Sequence, residues 1–408
     1  MSLDRDGDTR QVGGASRPDG PLAGVRVVDL TSNMSGPYAT QMLGDQGADV
    51  VKVESPAGDT IRTIGTSRRG MSAFFANLNR SKRSIAIDLT RPEARRVMDA
   101  LLDRADVVVA NFRPGVSAAL GLDAETVTAN RPSLVYAEIV GFGDHGPYAG
   151  RPAYDQVIQA LAGYAAIQAD LKSRRPTLVQ QGVIDKATAQ ATAQAVTAAL
   201  VGRGRTGAGR VLRIRMLDVA LAFMWPDGMM TETILEPDLS LPSIVNTFRL
   251  TDTADGQIAF IAVTTDQWAG LLRAVEIPYD DRLATPAGRV RHGGEYMRRA
   301  VRTLGSLTTH DAVERLSANG VPAAPVLSLD DIPSHPQVVA NGTVGEVEHP
   351  LLGRIRQANP AIRFGDDDIA SLRPAPRLGE HTDEVLRELG FSDVEVGRLR
   401  ASSVLAGP

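Results

Sequence analysis

Cysteine is absent from this chain of 408 residues. Its absence excludes disulfide bonds, thiolate nucleophiles, iron–sulfur clusters and zinc sites with cysteine ligands, and it is typical of a reducing compartment. Aromatic residues make up only 4% of the chain, which argues against a base-stacking surface for single-stranded nucleic acid. The six histidines include no pair at i and i+4, so the helical zinc-binding pattern is missing. We therefore expect no metal site.

Strong net charge and long apolar runs are also lacking. The chain carries 44 Lys and Arg against 48 Asp and Glu, for a net charge of −4, so we expect no general attraction to nucleic acid or to an anionic membrane. The uncharged stretch 187–202 is too short and too polar to cross a bilayer. Residues 1–20 are polar and contain no apolar segment of the signal-peptide kind, and we expect them to form a disordered tail. The expected location is the cytoplasm.

Strand-like and helix-like segments alternate from residue 24 onward. The apolar, β-branched segments that predict strands are 24–30, 49–54, 84–89, 106–112, 133–142 and 211–218. This alternation predicts an α/β fold with a doubly wound, mostly parallel sheet. Ligands of such sheets bind at the carboxyl ends of the strands. The sequence therefore places a site in the loops that follow Leu30, Glu54, Leu89, Val109 and Val140.

The common phosphate-binding and nucleophile motifs are missing or misplaced. The pattern Gly-x-Gly-x-x-Gly occurs at 141–146 and 202–207. The first match is followed by Pro147 and Gly150 rather than by a helix, and the second follows a helix rather than a strand, so neither predicts a dinucleotide site. No Gly-x-Ser-x-Gly sequence and no P-loop is present. The basic run 79–83 is explained as a solvated turn, with phosphate binding as the alternative.

Asp185 lies between an apolar pair and a long helical segment. It follows Val183 and Ile184 and precedes the segment that begins at Lys186, which is the ordinary position of a helix N-cap. The N–H groups and the dipole of a helix stabilise the ionised form of a carboxylate at such a position. The ionised form is also what a carboxylate nucleophile needs. Capping and nucleophilic catalysis are therefore compatible interpretations of Asp185.

Two other segments have a structural and a functional interpretation. Tyr154 and Asp155 begin a helix with Asp155 as its cap, or they present a phenol and a second carboxylate to the site. The segment 111–115 (NFRPG) forms a turn set by Pro-Gly, or it holds a ligand through Asn111 against the flat ring of Phe112.

Several stretches, in a fixed order, resemble the class III CoA-transferase (CaiB/BaiF) family, which includes formyl-CoA transferase and carnitine CoA-transferase. The stretches are 21–59, 79–89, 105–115, 141–163, 183–189, 204–218 and 376–390. The resemblance implies a Rossmann-like large domain formed by residues 21–224 and 326–408. It implies a smaller α+β domain, with its linkers, at residues 225–325, and a homodimer of two interlocked rings.

The resemblance also implies transfer of coenzyme A between an acyl-CoA and a carboxylic acid. In the family an aspartate attacks the donor thioester and forms an aspartyl–acyl anhydride. The released thiolate then forms an aspartyl–CoA thioester, from which CoA passes to the acceptor. Asp185 matches this aspartate. The CoA thioester is a substrate, so no permanently bound cofactor is expected.

Further site residues are implied by the same match. The implied CoA-binding residues are Ile87, Asp88, Leu89, Thr90, Asn111, Phe112 and Arg113. The implied residues of the acyl pocket are Ser32, Asn33, Met34, Tyr154 and Asp155. A basic residue that often follows the 111–115 segment in the family is replaced by Ala118 and Ala119, so the CoA phosphates are assigned to Arg80 and Lys82.

Two alternatives to CoA transfer stay open. The related 2-methylacyl-CoA racemases remove an α-proton with an Asp/His pair, and the position of their histidine is Tyr154 here. Because a tyrosine with a reference pKa of about 10 is a poor base near neutral pH, the transferase is favoured. The second alternative is a CoA-binding subunit without activity of its own.

The sequence restricts the chemical nature of the acyl group less than it restricts the reaction. The first loop lacks the His and Gln of formyl-CoA transferase, which argues against formyl and oxalyl groups. The residues that suggest a medium or bulky acyl group are Met34, Tyr38, Tyr154 and Trp225. A dicarboxylate such as succinate is also open, with its distal carboxylate on Arg151 or Arg174, unless these are solvated loop residues.

Overall fold

The computed structural model describes residues 20–170, 173–236, 243–365 and 372–407. The tail predicted at 1–20 lies outside these ranges except for Gly20. No helix in the described ranges has both the length and the apolar character needed to cross a membrane.

The chain divides into two compact units. The first runs through Phe223 and resumes at Gly342, and the second spans Met224–Asn341. The second unit begins where the small domain was predicted to begin, but it extends beyond the predicted end at residue 325. One reason is that the Val326 N–H donates to the Gln257 carbonyl, which continues the hydrogen bonding of that unit's sheet.

The first unit is built on a seven-stranded sheet. Its strands are β1 (Arg26–Leu30), β2 (Asp49–Glu54), β3 (Lys82–Ile87), β4 (Val107–Ala110), β5 (Val135–Val140), β6 (Val211–Arg215) and β7 (Leu405–Ala406). Their spatial order is β7-β3-β2-β1-β4-β5-β6. Strands β1 to β6 are parallel, and β7 pairs antiparallel with β3. This is the order of a doubly wound Rossmann-type sheet, so the predicted α/β fold is confirmed.

The strands are almost continuously apolar because side chains on both of their faces are buried. Val107, Val108 and Val109 of β4 are all fully buried, as expected for an inner parallel strand. On one face, Val97 and Leu102 of the Ala94–Asp103 helix belong to the same buried cluster as the strand residues. This packing holds the sheet in place. The candidate site lies at the carboxyl ends of its strands.

The register of β3 changes the assignment of one predicted segment. Lys82 lies opposite Val50 and Ala86 lies opposite Glu54, so β3 occupies 82–87 rather than the predicted 84–89. Asp88, Leu89 and Thr90 therefore belong to the loop after the strand.

Helices and short hairpins complete the described part of the first unit. Its helices are Ser35–Asp45, Ala73–Leu78, Ala94–Asp103, Val116–Ala119, Ala124–Thr128, Asp155–Leu161, Tyr164–Ile167, Val183–Thr206, Thr382–Glu388 and Asp393–Ala401, with a 3-10 turn at Thr60–Thr63. The helix Met216–Gly228 contains the boundary with the second unit. The antiparallel pairs are Ser67–Arg68 with Met71–Ser72, and Val344–His349 with Gly353–Ala358. The second pair forms a hairpin.

The second unit combines helices with a small antiparallel sheet. Its antiparallel sheet has the order Ala323–Pro325, Gln257–Phe260, Leu250–Asp252. Its helical segments are Met230–Thr233, Ile244–Thr247, Thr265–Ala274, Asp281–Leu283, Pro286–Leu304, Thr309–Ala318, Ile332–Ser334 and Pro336–Ala340. Gly270 allows a close approach here, since a Cβ at this position would lie 2.1 Å from the Asn319 carbonyl oxygen.

Candidate active site

A cavity of about 830 Å³ lies at the carboxyl ends of the parallel strands of the first unit. Each of the five loops selected from the sequence contributes to its wall, through Thr31, Ser55, Thr90, Asn111 and Gly141. The loops after β1 and β4 meet where the strand order reverses, which is the ordinary ligand position in such sheets.

Most of the predicted site residues line this cavity. They are Ser32, Asn33, Ile87, Asp88, Leu89, Thr90, Asn111, Phe112, Arg113, Tyr154 and Asp185. Two predicted acyl-pocket residues lie behind the wall instead. A Cβ on Gly182 would approach the Met34 sulfur to 2.6 Å, so Met34 packs against the segment before Asp185. Asp155 is buried, with 4% of its surface exposed.

Asp185 is the third residue of its helix, not its cap. The helix Val183–Thr206 has Gly182 at the N-cap, and no side chain of Gly182 can satisfy the first N–H groups. Asp155 performs that function from a neighbouring helix, because its Oδ2 accepts from the Asp185 N–H at 2.8 Å. Asp155 is likewise not the cap of its own helix, since Tyr154 occupies that position.

The supporting residue Gln159 was not identified from the sequence. Its Nε2 donates to Asp155 Oδ1 and to the carbonyls of Val179 and Gln181. Its Oε1 accepts from the Val179 N–H at 3.0 Å. Gln159 lies on the same helix as Asp155 and thus connects that helix to residues 179–181, which lead into the Asp185 helix. The spacing of Asp155 and Gln159 at i and i+4 was the only signal in the sequence.

The pKa of Asp185 is raised to about 6, chiefly because burial disfavours its ionised form. The nearby charge of Asp155 raises the pKa further, whereas hydrogen bonding from the hydroxyl and N–H of Ser35 lowers it. Burial therefore outweighs the helix-terminus stabilisation expected from the sequence. At pH 7 the ionised form still exceeds the protonated form roughly tenfold, and a poorly solvated carboxylate is available for attack.

The loop after β1 is held from both sides. The Ser32 N–H donates to Asn111 Oδ1 at 2.9 Å, and Asn111 Nδ2 donates to the Ser32 carbonyl at 2.8 Å. On the other side the Asn33 N–H donates to Asp59 Oδ1 at 3.2 Å, and Asn33 adopts a φ of +66°. Asn111 lines the cavity, but its amide joins two loops across the sheet rather than pointing free toward a ligand.

Lys82 and Arg80 do not line the cavity, and the assignment of the CoA phosphates to them is corrected. Lys82 is fully buried and donates to Asp29 Oδ2 at 3.0 Å, to the Pro37 carbonyl and to Asn79 Oδ1. Burial lowers the pKa of Lys82 to about 8. Arg80 pairs with Asp45 at 2.8 Å and also donates to a backbone carbonyl of the 353–358 strand. Both side chains therefore stabilise the fold and do not line the cavity.

Arg113 and Arg151 are the cationic residues of the cavity wall. The Arg151 guanidinium lies over the Tyr148 ring at 4.2 Å, and that ring packs on Phe142 with a centroid separation of 5.1 Å. Stacking keeps the donor edge of a guanidinium available to an anion. Arg174, the other sequence candidate for a distal carboxylate, does not line the cavity.

The predicted apolar lining is only partly present. Tyr154 lines the cavity, whereas Met34 and Tyr38 pack against a neighbouring buried cluster. Trp225 belongs to the second unit. Polar residues that the sequence did not reveal replace them: Ser35, Glu138 and Asp144. Burial raises the pKa of Glu138, and Asp144 raises it further.

Comparison with known proteins gives consistent matches along the chain. The model of a family described as CoA-transferase family III matches residues 22–382. Succinate–glutarate CoA-transferase of Agrobacterium fabrum is 34% identical, over 90% of this chain and 96% of the relative. Human succinyl-CoA:glutarate CoA-transferase is 30% identical, over 94% and 90%. The crystal structure of a CaiB/BaiF family protein from Brucella suis has a TM-score of 0.76 at 31% identity, over 91% of this chain and 99% of that one.

Proposed function

The chain belongs to CoA-transferase family III and is an acyl-CoA:carboxylate CoA-transferase; we propose that CoA is transferred through covalent intermediates on Asp185. One observation carries this proposal. Asp185 faces a cavity at the strand ends, is held through its backbone by Asp155, and has a pKa of about 6. It is therefore ionised, poorly solvated and fixed in position at neutral pH.

The first half of the reaction removes the acyl group from its thiol. An Asp185 oxygen attacks the thioester carbonyl carbon, a C–O bond forms and the C–S bond breaks, which gives an aspartyl–acyl anhydride and the CoA thiolate. The thiolate then attacks the Asp185 carbonyl carbon of the anhydride. A C–S bond forms, the C–O bond breaks, and the donor acid leaves as a carboxylate.

The second half runs the same steps in reverse order with another acid. The acceptor carboxylate attacks the aspartyl–CoA thioester, which gives a new anhydride and the thiolate. Attack of the thiolate on the acceptor carbonyl carbon releases the product thioester and restores the Asp185 carboxylate. No step consumes an oxidant, a reductant or a proton overall, so the proposed route requires no bound cofactor.

The proposed acyl group is that of a dicarboxylic acid. Relatives that are about one third identical are named for succinate and glutarate. Arg151 supports the same choice, because it lies on the cavity wall, stacked on Tyr148, on the loop that leads to Tyr154. Its guanidinium fits a second carboxylate by paired hydrogen bonds. We assign Arg113, beside Phe112 on the opposite loop, to the phosphates of CoA.

The interlocked homodimer is part of the same proposal. Within the first unit Val201 and Phe223 are each 59% exposed, and within the second Leu235 and Phe248 are 90% and 74% exposed. A partner subunit would cover apolar side chains of this kind if they lie in its interface. Light scattering after gel filtration should give about twice the chain mass of 43.4 kDa. A monomer under those conditions would contradict this part of the proposal.

Mass spectrometry after mixing with acyl-CoA thioesters tests the covalent route. The panel contains succinyl-CoA, glutaryl-CoA and acetyl-CoA, with hydroxylamine as the trap. A CoA adduct or a hydroxamate on the peptide that carries Asp185 is expected, and it should be absent from the Asp185→Asn variant. Absence of any adduct together with α-proton exchange into deuterated water would overturn the proposal in favour of racemase chemistry. If neither an adduct nor α-proton exchange is detected, a CoA-binding subunit without activity of its own would be favoured.

A further inference from the structure

Gln159 is a fully buried polar side chain close to the nucleophile. It lies on the Asp155–Leu161 helix and has no exposed surface. Burial of an amide makes folding less favourable unless its donors and its acceptor are hydrogen-bonded. The Gln159 amide makes four hydrogen bonds, all of them to Asp155 or to residues 179–181. Both partners adjoin Asp185, one through a hydrogen bond and the other along the chain.

The partners of the Gln159 amide determine its orientation. Its Nε2 donates to Asp155 Oδ1 and to the carbonyls of Val179 and Gln181. Its Oε1 accepts from the Val179 N–H at 3.0 Å. The reversed amide would place an oxygen against three acceptors and a nitrogen against a donor. Gln159 therefore presents a donor, and not an acceptor, to the Asp155 carboxylate.

Both oxygens of the Asp155 carboxylate are hydrogen-bonded. Oδ1 accepts from Gln159 Nε2, and Oδ2 accepts from the Asp185 N–H at 2.8 Å. The Asp185 N–H belongs to the first turn of the Val183–Thr206 helix, whose N–H groups have no partner within their own helix. The N-cap of this helix is Gly182, which has no side chain to offer. Asp155 thus supplies a cap from another helix, and Gln159 holds Asp155 in the orientation that this contact requires.

The covalent route requires Asp185 to keep one position over several steps. An oxygen of its carboxylate attacks in the first step, and its carboxyl carbon is attacked in two later steps. The group attached to it meanwhile changes from none to an acyl group and then to CoA. A reacting atom misplaced by about 1 Å can lower a rate about 100-fold. Helix ends fray, so the contacts that hold the first turn around Asp185 bear directly on these steps.

We propose that Gln159 is a positioning residue for the nucleophile: it orients Asp155, which in turn holds the helix turn that carries Asp185 through all the covalent steps. The inference rests on the covalent route proposed above and adds to it a residue that does not line the cavity. The hydrogen bonds of Gln159 do not reach the segment 111–115, to which CoA binding is assigned. Loss of its contacts should therefore lower kcat and leave the KM for acyl-CoA nearly unchanged.

The first test variant is Gln159→Glu. It keeps the size of the side chain and an acceptor for the Val179 N–H, but it replaces the donor toward Asp155 by a second carboxylate oxygen. Because two carboxylates then face each other, the contact with the Asp185 N–H should be lost. In steady-state kinetics kcat should fall about 10- to 100-fold, with the KM for acyl-CoA changed less than about twofold. Hydrogen exchange followed by mass spectrometry should be faster than in the wild type at residues 183–186.

The second test variant exchanges donor and acceptor between the two positions. In Asp155→Asn/Gln159→Glu, the amide nitrogen at position 155 can donate to the carboxylate at position 159, and the amide oxygen can accept from the Asp185 N–H. The kcat of this double variant should be at least about fivefold above that of Gln159→Glu alone, and slow exchange at residues 183–186 should return. Two changes that only disturb packing would not compensate each other in this way.

Gln257→Glu is the matched control. The Gln257 Nε2 also donates to an aspartate, Asp252 Oδ1 at 2.8 Å, but this pair is exposed and belongs to the second unit. Gln257 does not line the cavity. The same substitution next to the same type of partner should therefore keep wild-type kcat and wild-type exchange at residues 183–186.

Several results would overturn the inference. They are wild-type kcat in Gln159→Glu, a loss of kcat with unchanged exchange at residues 183–186, and a double variant no more active than Gln159→Glu. If the variants do not fold, the wild-type protein still gives an answer, because exchange at the Asp185 N–H as fast as in an unfolded chain would exclude the contact. Failure of the covalent route is distinguishable: the wild-type protein would then form no adduct on Asp185, while exchange at residues 183–186 would still depend on Gln159.

Discussion

Replacing Asp185 by asparagine should abolish transfer and stabilise the folded protein. The ordinary pKa of an aspartate is 3.8, and the pKa of Asp185 is about 6. Each pKa unit corresponds to about 1.4 kcal/mol, so the ionised carboxylate makes folding less favourable by about 3 kcal/mol at neutral pH. Asparagine is close to the same size and carries no charge to repel Asp155.

The direction in which the stability difference changes with pH tests whether burial causes the raised pKa of Asp185. The folded-state pKa is raised, so the stabilising effect of protonated Asp185 is fully present below pH 3.8 and is lost as the pH rises through 6. Urea unfolding of both proteins at one protein concentration should therefore show little difference at pH 4. At pH 8 the Asp185→Asn protein should be more stable by about 3 kcal/mol. An unchanging difference across this range, or a less stable variant at pH 8, would refute the assignment of the raised pKa to burial.

Three other predictions follow from the same contacts. The kcat/KM profile should fall with unit slope below about pH 6, because only ionised Asp185 attacks; a limb near pH 4 would contradict burial of this group. Lys82→Ala should lower the free energy of unfolding by about 3–5 kcal/mol, because it removes the salt-bridge partner of the buried Asp29 carboxylate. A selective rise in the KM for acyl-CoA without loss of stability would restore Lys82 as a phosphate ligand. Arg151→Gln should raise the KM for a dicarboxylyl-CoA about tenfold while changing that for acetyl-CoA less than about twofold; equal effects on both thioesters, measured by steady-state kinetics, would assign Arg151 to CoA instead.

The local pattern of the sequence determined the strands and the edge of the sheet that carries the site. Runs such as 107–109 are apolar without alternation, which is possible only where both faces of a strand are covered. Because parallel strands end at the same edge of a sheet, the loops that follow these strands lie together at that edge. The positions of Asn111 and Tyr154 at this edge followed from that reasoning, whereas the place of Asp185 in the site was implied by the resemblance to the family.

Only the tertiary structure decided which polar residues serve the substrate and which serve the fold. Lys82 and Arg113 are both cations near strand ends in the sequence. The fold buries Lys82 against Asp29 and leaves Arg113 on the cavity wall. Burial and charge pairing depend on residues far apart in the chain, so the sequence alone did not show that Lys82 is paired with Asp29.

Contacts between distant parts of the chain also explain why the sequence did not reveal the surroundings of Asp185. The pairing of the short strand β7 with β3 and the hydrogen bond between Asp155 and the Asp185 N–H each join segments that are distant in the chain. The sequence determined that residue 185 is an aspartate near the start of a helix. The tertiary structure decided its pKa, because that value is set by the depth of burial and by the charge and donors that the fold brings beside it.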